Sequence, residues 1–405
     1  MTAAIRVVLK RGRSKPFWVG HPWVFSGAIH RVDGAVGDMG GACVVVDERD
    51  NVLGSGFYNP HSKIAVRILE HRRSTEREFE PRALMDLARQ RLVAAVERRQ
   101  TLGLPSEDTT AYRVCHGEGD LLGGLVVDRM GPMAVIHLQS RAMYEQREAL
   151  ARLVADVLDL SSVAVVVGEA TSKSEAIPIG CEHLVGSSTG PTEVRELGVR
   201  FQIDSATAFR TPFHTEQREN RRRFASLVNE QVVLDLFCGA GGFGLHAAAL
   251  GAEAVVGVDA SEPACTLAKV NAARNDLSAR IDIHCGDAMV FLKEARAQGR
   301  TWSRIVCDPP AFARGRGHVK DALKKLARLN TLAMASLEPG GLLLTCTGSP
   351  HISEEAFVRV LTDAGHRLRR GVHVHSVWGQ APDHPFAAVA PEGRTLTATL
   401  VSVES

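Results

Sequence analysis

The stretch Val233-Leu-Asp-Leu-Phe-Cys-Gly-Ala-Gly-Gly-Phe-Gly244, followed by Val256-Gly-Val-Asp259, decides the fold. A short apolar run ends in Asp235 and opens into four glycines, Gly239, Gly241, Gly242 and Gly244. A helical pattern and a second apolar run ending in Asp259 come next. This is a strand, a glycine turn, a helix and a strand, with a carboxylate at each strand tip. Glycines allow close approach of backbone to a ligand, and an acid about 20 residues beyond such a loop is placed to grip a ribose. The same pattern continues in His284-Cys-Gly-Asp287-Ala288, Ile305-Val-Cys-Asp308-Pro309-Pro310-Ala-Phe312 and Gly340-Gly-Leu-Leu-Leu-Thr-Cys346. The acids at 235, 259, 287 and 308 step by 24, 28 and 21 residues, one βα unit each. They therefore line one edge of a parallel sheet, the carboxyl edge at which open α/β sheets bind ligands.

The loop does not have the GxGxxG order of dinucleotide-binding proteins, and Asp235 directly before it would repel a pyrophosphate. A carboxylate there suits a cofactor with a cationic, amine-bearing head. The stretch resembles motif I of the class I S-adenosylmethionine (SAM) methyltransferases. That resemblance implies that Asp235, Phe237, Gly239 and Gly241 line the methionine side of SAM. It also implies that Asp259 takes the ribose hydroxyls and that Asp287 and Ala288 take the adenine.

The 405 residues suffice for two or three domains, and 45% hydrophobic with 23% charged residues describes a soluble globular protein. No apolar run approaches the roughly 18 residues of a membrane span. No secretory signal is read at the N-terminus, so the expected location is the cytoplasm, with free thiols. The eight cysteines form no CxxC pair, which argues against a zinc ribbon, and no metal is expected. His116, Glu118 and Asp120 read as residues of a tight turn rather than metal ligands.

Net charge is +2, yet basic residues cluster. Arg6, Lys10, Arg11, Arg13, Lys15 and Arg31 precede the first acid, Asp33, and are interleaved with Phe17, Trp18, His21, Trp23 and Phe25. A second run holds Arg314, Arg316, Lys320, Lys324, Lys325 and Arg328 against Asp321 alone. Cations with aromatics suit phosphate contact plus base stacking, so RNA is the expected partner. Lys10, Arg11, Arg13, Trp23, Arg314 and Arg316 are the candidate contacts.

Residues 1–72 read as short strands with glycine-rich turns, among them 42–47, 52–58 and 64–69. With His21-Pro-Trp-Val-Phe-Ser-Gly27 they resemble a PUA domain, an RNA-binding β-barrel. Residues 73–100 read as a helix carrying Leu84, Leu87, Leu92 and Val96 on one face. A small α/β middle domain is expected over 73–187, with strands near 112–128, 134–138 and 163–167 and a helix near 141–158. The catalytic domain is expected over 188–405. Gln217, Arg218 and Arg221 are spaced to share one side of the helix entering it.

Taken together, the chain resembles the RlmI-type ribosomal RNA cytosine-5 methyltransferases. These have a C-terminal Rossmann-like class I SAM methyltransferase domain preceded by a small β-barrel PUA domain and a small α/β middle domain. The resemblance runs from His21-Pro-Trp through Gly119-Asp120, Gly123-Gly124-Leu-Val-Val-Asp128-Arg129, Glu216-Gln217-Arg218, motif I, Asp308-Pro-Pro-Ala-Phe312, Leu329-Asn330 and Thr345-Cys346 to Pro382-Asp383-His384-Pro385 and Pro391-Glu392-Gly393. Three departures stand out. Arg210-Thr-Pro212 replaces Lys-Thr-Gly, Glu216 replaces Asp, and Thr345-Cys346-Thr-Gly348-Ser349 replaces Thr-Cys-Ser-Cys-Ser, leaving one thiol.

The resemblance implies methylation of cytosine C5 in large-subunit (23S) rRNA, with Cys346 as nucleophile at C6 and Asp308 stabilising the ring. Pro309 and Pro310 would fix the loop, Phe312 would pack near the base, and Gln217 and Arg221 would close the cofactor pocket. Following an apolar strand, Cys346 is expected at the strand end, short of full burial. His384 is a candidate acceptor of the C5 proton or an ordinary structural histidine. A homodimer is a further expectation. The rival readings are a methyltransferase acting on a base nitrogen, with guanine N7 its closest version, and a non-catalytic RNA-binding assembly factor. The Ala311 interruption after Pro-Pro and the presence of Cys346 favour carbon chemistry.

Overall fold

The computed structural model describes residues 5–34, 37, 39–72, 79–187, 190–204, 213–313 and 315–404. Arg210-Thr-Pro212 and Arg314 lie outside them, as does the side chain of Arg316. Contacts divide the chain into two compact units. One comprises Met1–Ser106, Thr110–Thr192 and Pro382–Gly393; the other comprises Glu107–Thr109, Glu193–Ala381 and Arg394–Ser405.

The first unit contains two sheets. β1 (Ile5–Leu9), β2 (Trp23–Phe25), β3 (Ile29–Asp33), β4 (Gly41–Val46), β5 (Val52–Tyr58) and β6 (Ile64–His71) form a six-stranded sheet in the order β2-β6-β5-β4-β1-β3, with the short helix α1 (Lys15–Trp18) between β1 and β2. Alternate residues Ile5, Val7 and Leu9 join Val24, Val45, Leu53, Val66 and Ile68 in one core, as the two-residue period of a strand requires.

The described residues 79–83, which the sequence reading placed in a helix, are not helical, and α2 spans Leu84–Thr101. Pro81 disfavours helical geometry in the residue before it. The second sheet comprises β7 (Ala111–His116), β8 (Leu125–Met130), β9 (Met133–Leu138), β10 (Ser162–Val167) and β11 (Gly180–Val185), in the order β11-β10-β9-β8-β7. Helices α3 (Arg141–Glu145) and α4 (Arg147–Leu158) make the crossover between the parallel strands β9 and β10, and α5 (Glu169–Glu175) precedes β11.

Segment 382–393 belongs to this unit although it is distant in sequence. The Asp383 carboxylate accepts from the Arg113 backbone at 2.9 Å, and its carbonyl accepts from Arg99 at 2.6 Å. Gly119 is required here, since a Cβ on it would lie 1.8 Å from the Pro385 carbonyl oxygen. Asp120 is fully buried and paired with Arg99 and Arg98, so it holds the turn, and no metal-binding cluster exists among the described residues.

The second unit opens with the hairpin β12 (Pro191–Glu196) and β13 (Val199–Asp204), then α6 (Arg218–Ala225). Its main sheet comprises β14 (Val232–Leu236), β15 (Ala254–Asp259), β16 (Ile281–Cys285), β17 (Trp302–Cys307), β18 (Leu337–Thr347), β19 (Val372–Trp378) and β20 (Thr397–Val403). The intervening helices are α7 (Gly242–Ala249), α8 (Glu262–Arg274), α9 (Ala288–Ala297), α10 (Val319–Ala335) and α11 (Glu354–Leu368). The strand order is β16-β15-β14-β17-β18-β20-β19, parallel except for β20, which runs antiparallel to both its neighbours. The order reverses between β14 and β17, and an open α/β sheet binds its ligand in the crevice at that point. No helix among the described residues is long and apolar enough to cross a membrane.

Candidate active site

Asp235 and Asp308 close the two strands that flank this crevice, β14 and β17. A cleft at this edge is lined by the glycine loop (Phe237 to Ala240, Gly242, Phe243), by Phe213, His214 and Arg221, and by Asp308. The loop is drawn tight by Asp259, whose carboxylate accepts from the Gly239 and Ser261 backbone N–H groups at 2.9 and 2.8 Å. Gly239 and Gly241 take left-handed φ values of +54° and +88°, and a Cβ at Gly239 would meet only open space. A left-handed backbone is costly for any residue with a side chain. Phe237 pays that cost too, at φ +62°.

Asp235 is 1% exposed. One of its oxygens accepts from Gly244 N–H at 2.8 Å, and the other is buried with no partner. Burial, with the nearby Asp308 charge, pushes its carboxyl up to about 7. A buried carboxylate with one empty face is a receptor for an ammonium group, so the residues present fit the methionine end of SAM. Asp287 caps α9 through the Met289 and Val290 N–H groups, with Ala288 buried behind it.

Of the two residues expected to close the cofactor pocket, Arg221 lines the cleft and Gln217 does not. The Gln217 carbonyl accepts from Asn220 at 2.7 Å, which fixes the orientation of its amide. Its NH₂ group donates to the Asp308 carboxylate at 3.0 Å. Gln217 is thus tied to Asp308, and the Asp308 charge and the Gln217 amide act in opposite directions on the Cys346 thiol. Arg221 lines the cleft, but its guanidinium is committed to Glu196, with Nη1 at 2.8 and 3.0 Å from the two carboxylate oxygens. It also lies against Gly242, where a Cβ would fall 2.6 Å from Nε.

Glu196 is fully buried and also meets His246 Nε2 at 3.1 Å. Burial would raise its carboxyl, but Arg221 and His246 together bring it below the usual carboxylate range. Removing one partner of a buried pair strands the other, at about 3–5 kcal/mol. Arg221→Ala is therefore expected to lower unfolding stability by that order in denaturant titration, with Arg221→Lys losing less. A midpoint unchanged in Arg221→Ala would show that His246 alone satisfies Glu196.

Cys346 departs furthest from expectation. β18 runs on to Thr347, so Cys346 lies inside the strand, paired with Ala398, with 0% exposure. It packs among Phe224, Val233, Val306 and Leu344. Burial and the Asp308 charge raise its thiol well above the ordinary value, while the Gln217 N–H works in the opposite direction. A Cβ on Gly348 would meet open space. Asp308 itself is half-buried, and burial and Glu216 raise its carboxyl against the influence of His214, Arg221 and Gln217.

Pro309 is buried and Pro310 exposed. Phe312 packs on the apolar side of α10, with Lys325 Nζ 4.0 Å from its ring centre, so that face of the ring is already covered. In the first unit Lys10, Arg11 and Arg13 are exposed, as are Trp18 and Phe25. Trp23 is half-buried, its indole N–H donating to Glu118 at 2.6 Å. His384 belongs to the first unit, buried against His116 and 3.1 Å from the Asp383 carboxylate, whereas Cys346 and Asp308 belong to the second.

A parallel sheet with an antiparallel last pair, a glycine loop at its reversal and acids at successive strand tips defines a class I SAM-dependent methyltransferase. Two solved structures share the whole fold. One is provisionally named a SAM-dependent methyltransferase of Streptococcus mutans, with TM-score 0.83, 17% identity, and 98% of this chain and 99% of that one covered. The other is a methyltransferase, also provisionally named, complexed with SAH, with TM-score 0.84, 17% identity and the same coverage. Residues 7–71 match the family profile of a PUA-like domain, and residues 211–354 match that described as conserved hypothetical protein 95. The ribosomal RNA large subunit methyltransferase I of Photobacterium profundum is 32% identical over 397 residues, covering 97% of both chains. That of Shewanella denitrificans is 32% identical over 406 residues, covering 99% of this chain and all of the relative. The chain belongs to the ribosomal RNA large subunit methyltransferase I family.

Proposed function

We propose that this protein methylates C5 of a cytosine in large-subunit rRNA, through a transient covalent bond from Cys346. The observation that carries this reading is that Gln217 donates to Asp308, which lines the glycine-loop cleft, and that both groups act on the Cys346 thiol. Cytosine C5 is a poor nucleophile until a thiolate adds at C6. As Cys346 adds, its proton passes to Asp308, and a proton from Asp308 reaches N3. A carboxyl raised by burial suits this exchange. The Gln217 N–H stabilises the forming thiolate and holds Asp308 in line. SAM, when bound, supplies the methyl group that C5 takes. Asp235 would hold its ammonium, Asp259 its ribose and Asp287 with Ala288 its adenine. Exposed Lys10, Arg11, Arg13, Trp18 and Phe25 would engage the RNA, in the cytoplasm where it is made.

Because the ammonium binds the ionised form of Asp235, protonation competes with it. SAM affinity is expected to fall about tenfold per pH unit below about 7 and to level off above it. Calorimetric titration from pH 5 to 8 checks this, with Asp235→Asn giving weak, pH-independent binding.

One observation favours a second reading, methylation of a base nitrogen: Cys346 is wholly buried and protonated at rest, and a nitrogen acceptor needs no thiol. Methyl transfer from labelled SAM to protein-free large-subunit rRNA, followed by nucleoside analysis, separates the two. Label in 5-methylcytidine supports the C5 reading; label in a methylated purine establishes the second.

A further inference from the structure

We propose that His214, oriented by Glu216, is the base that removes the C5 proton and so releases the enzyme from its methylated product. The proposal rests on the C5 reading. That reaction leaves C5 carrying both a methyl group and a hydrogen. Completing it requires a base to take the C5 proton. The C–H electron pair then forms the C5–C6 double bond, the C6–S bond breaks to return the Cys346 thiolate, and N3 gives its proton back to Asp308. Asp308 is engaged at N3 and Cys346 is bonded to C6, so neither can serve.

His214 has the placement such a base needs. It lines the cleft between the glycine loop, where the methyl donor is expected, and Asp308. Its Nδ1 lies 2.7 Å from the Glu216 carboxylate. With Nδ1 bonded to a carboxylate, the proton is held on that nitrogen and Nε2 is left as the basic one, the arrangement of a histidine base aligned by an acid. The side chain is 55% exposed, so a proton it takes can pass to solvent.

Glu216 lies one residue before Gln217, and its carbonyl accepts from Ala381 N–H at 2.9 Å, which fixes this turn against the chain after β19. Among the described residues, the charged groups that act on His214 include Glu216 in its own turn, Asp308 just after β17 and Arg221 from α6. Glu216 and Asp308 outweigh burial and Arg221 and raise the imidazolium pKa above its ordinary value. A base must be neutral to act, so turnover should rise with pH through that raised value.

The test uses the full-length protein with large-subunit rRNA, comparing wild type, His214→Ala and His214→Gln, with SAM binding by calorimetry as the check that each variant folds. Loss of about 100-fold or more in turnover is expected. A methylated RNA–protein adduct stable to SDS should accumulate in the variants, the acidic limb of the pH profile should vanish, and imidazole should partly restore His214→Ala. Wild-type turnover in His214→Ala, or lost turnover without adduct, overturns the assignment. RNA carrying 5-fluorocytidine distinguishes this from failure of the C5 reading itself, because fluorine cannot leave as a proton does. If the wild type is trapped on it while His214→Ala turns over normally on ordinary RNA, only the role of His214 falls. If the wild type is not trapped, the C5 reading falls and the proposal with it.

Discussion

Cys346→Ala is expected to lose methyl transfer by at least about 10³-fold while binding SAM as the wild type does. Removing a covalent nucleophile removes a step that positioning alone does not replace. The loss should be clean, because Gly348 stands where relatives of the RlmI type carry a second cysteine, and no other thiol lies on this segment. Folding should survive: the substitution deletes one atom from a packed cluster and leaves the β18–β20 pairing intact. Single-turnover transfer to rRNA, read beside calorimetric SAM binding, is the measurement. Retained transfer would reduce Cys346 to the core residue that its burial resembles.

Asp308→Asn should lower kcat by about 100- to 1,000-fold with a smaller change in KM, since the lost interaction matters most as charge develops on the ring. Asparagine keeps the size and can still accept from Gln217, so the local structure should hold. It cannot exchange a proton with N3. The nitrogen reading predicts a different pattern. An Asp308 that only orients a neutral amine would tolerate asparagine better, with the loss falling on KM. Steady-state kinetics of the variant across pH 6 to 9 separates the two.

What was legible in the sequence was local. Acids at strand tips and glycines with left-handed φ belong to patterns a few residues long, and such patterns mark out β14 to β18. The PUA-like first domain was legible in the same way, from alternation and turns.

What was not legible depends on pairings across the fold. Gln217 carries no local sign that its amide will meet Asp308, 91 residues later, because Asn220 sets its orientation. Glu196 is an unremarked acid at the end of a hairpin strand until Arg221 and His246 are seen to converge on it. Cys346 reads as a strand end because it follows the apolar strand Leu342–Thr345. The backbone ladder to β20 nevertheless continues through Thr345, Cys346 and Thr347, and a polar sequence within a strand does not stop its pairing. The Pro382–Gly393 segment likewise gives no hint in composition that it joins the first unit.

The covalent bond itself is the most direct test of the account. Wild-type protein, SAM and rRNA containing 5-fluorocytidine should give a complex stable to SDS. After nuclease and protease digestion, mass spectrometry should find a methylated fluorocytidine mass on the peptide containing Cys346. A complex mapped to another residue would contradict the nucleophile. No complex at all, from protein that methylates ordinary rRNA, would contradict C5 chemistry.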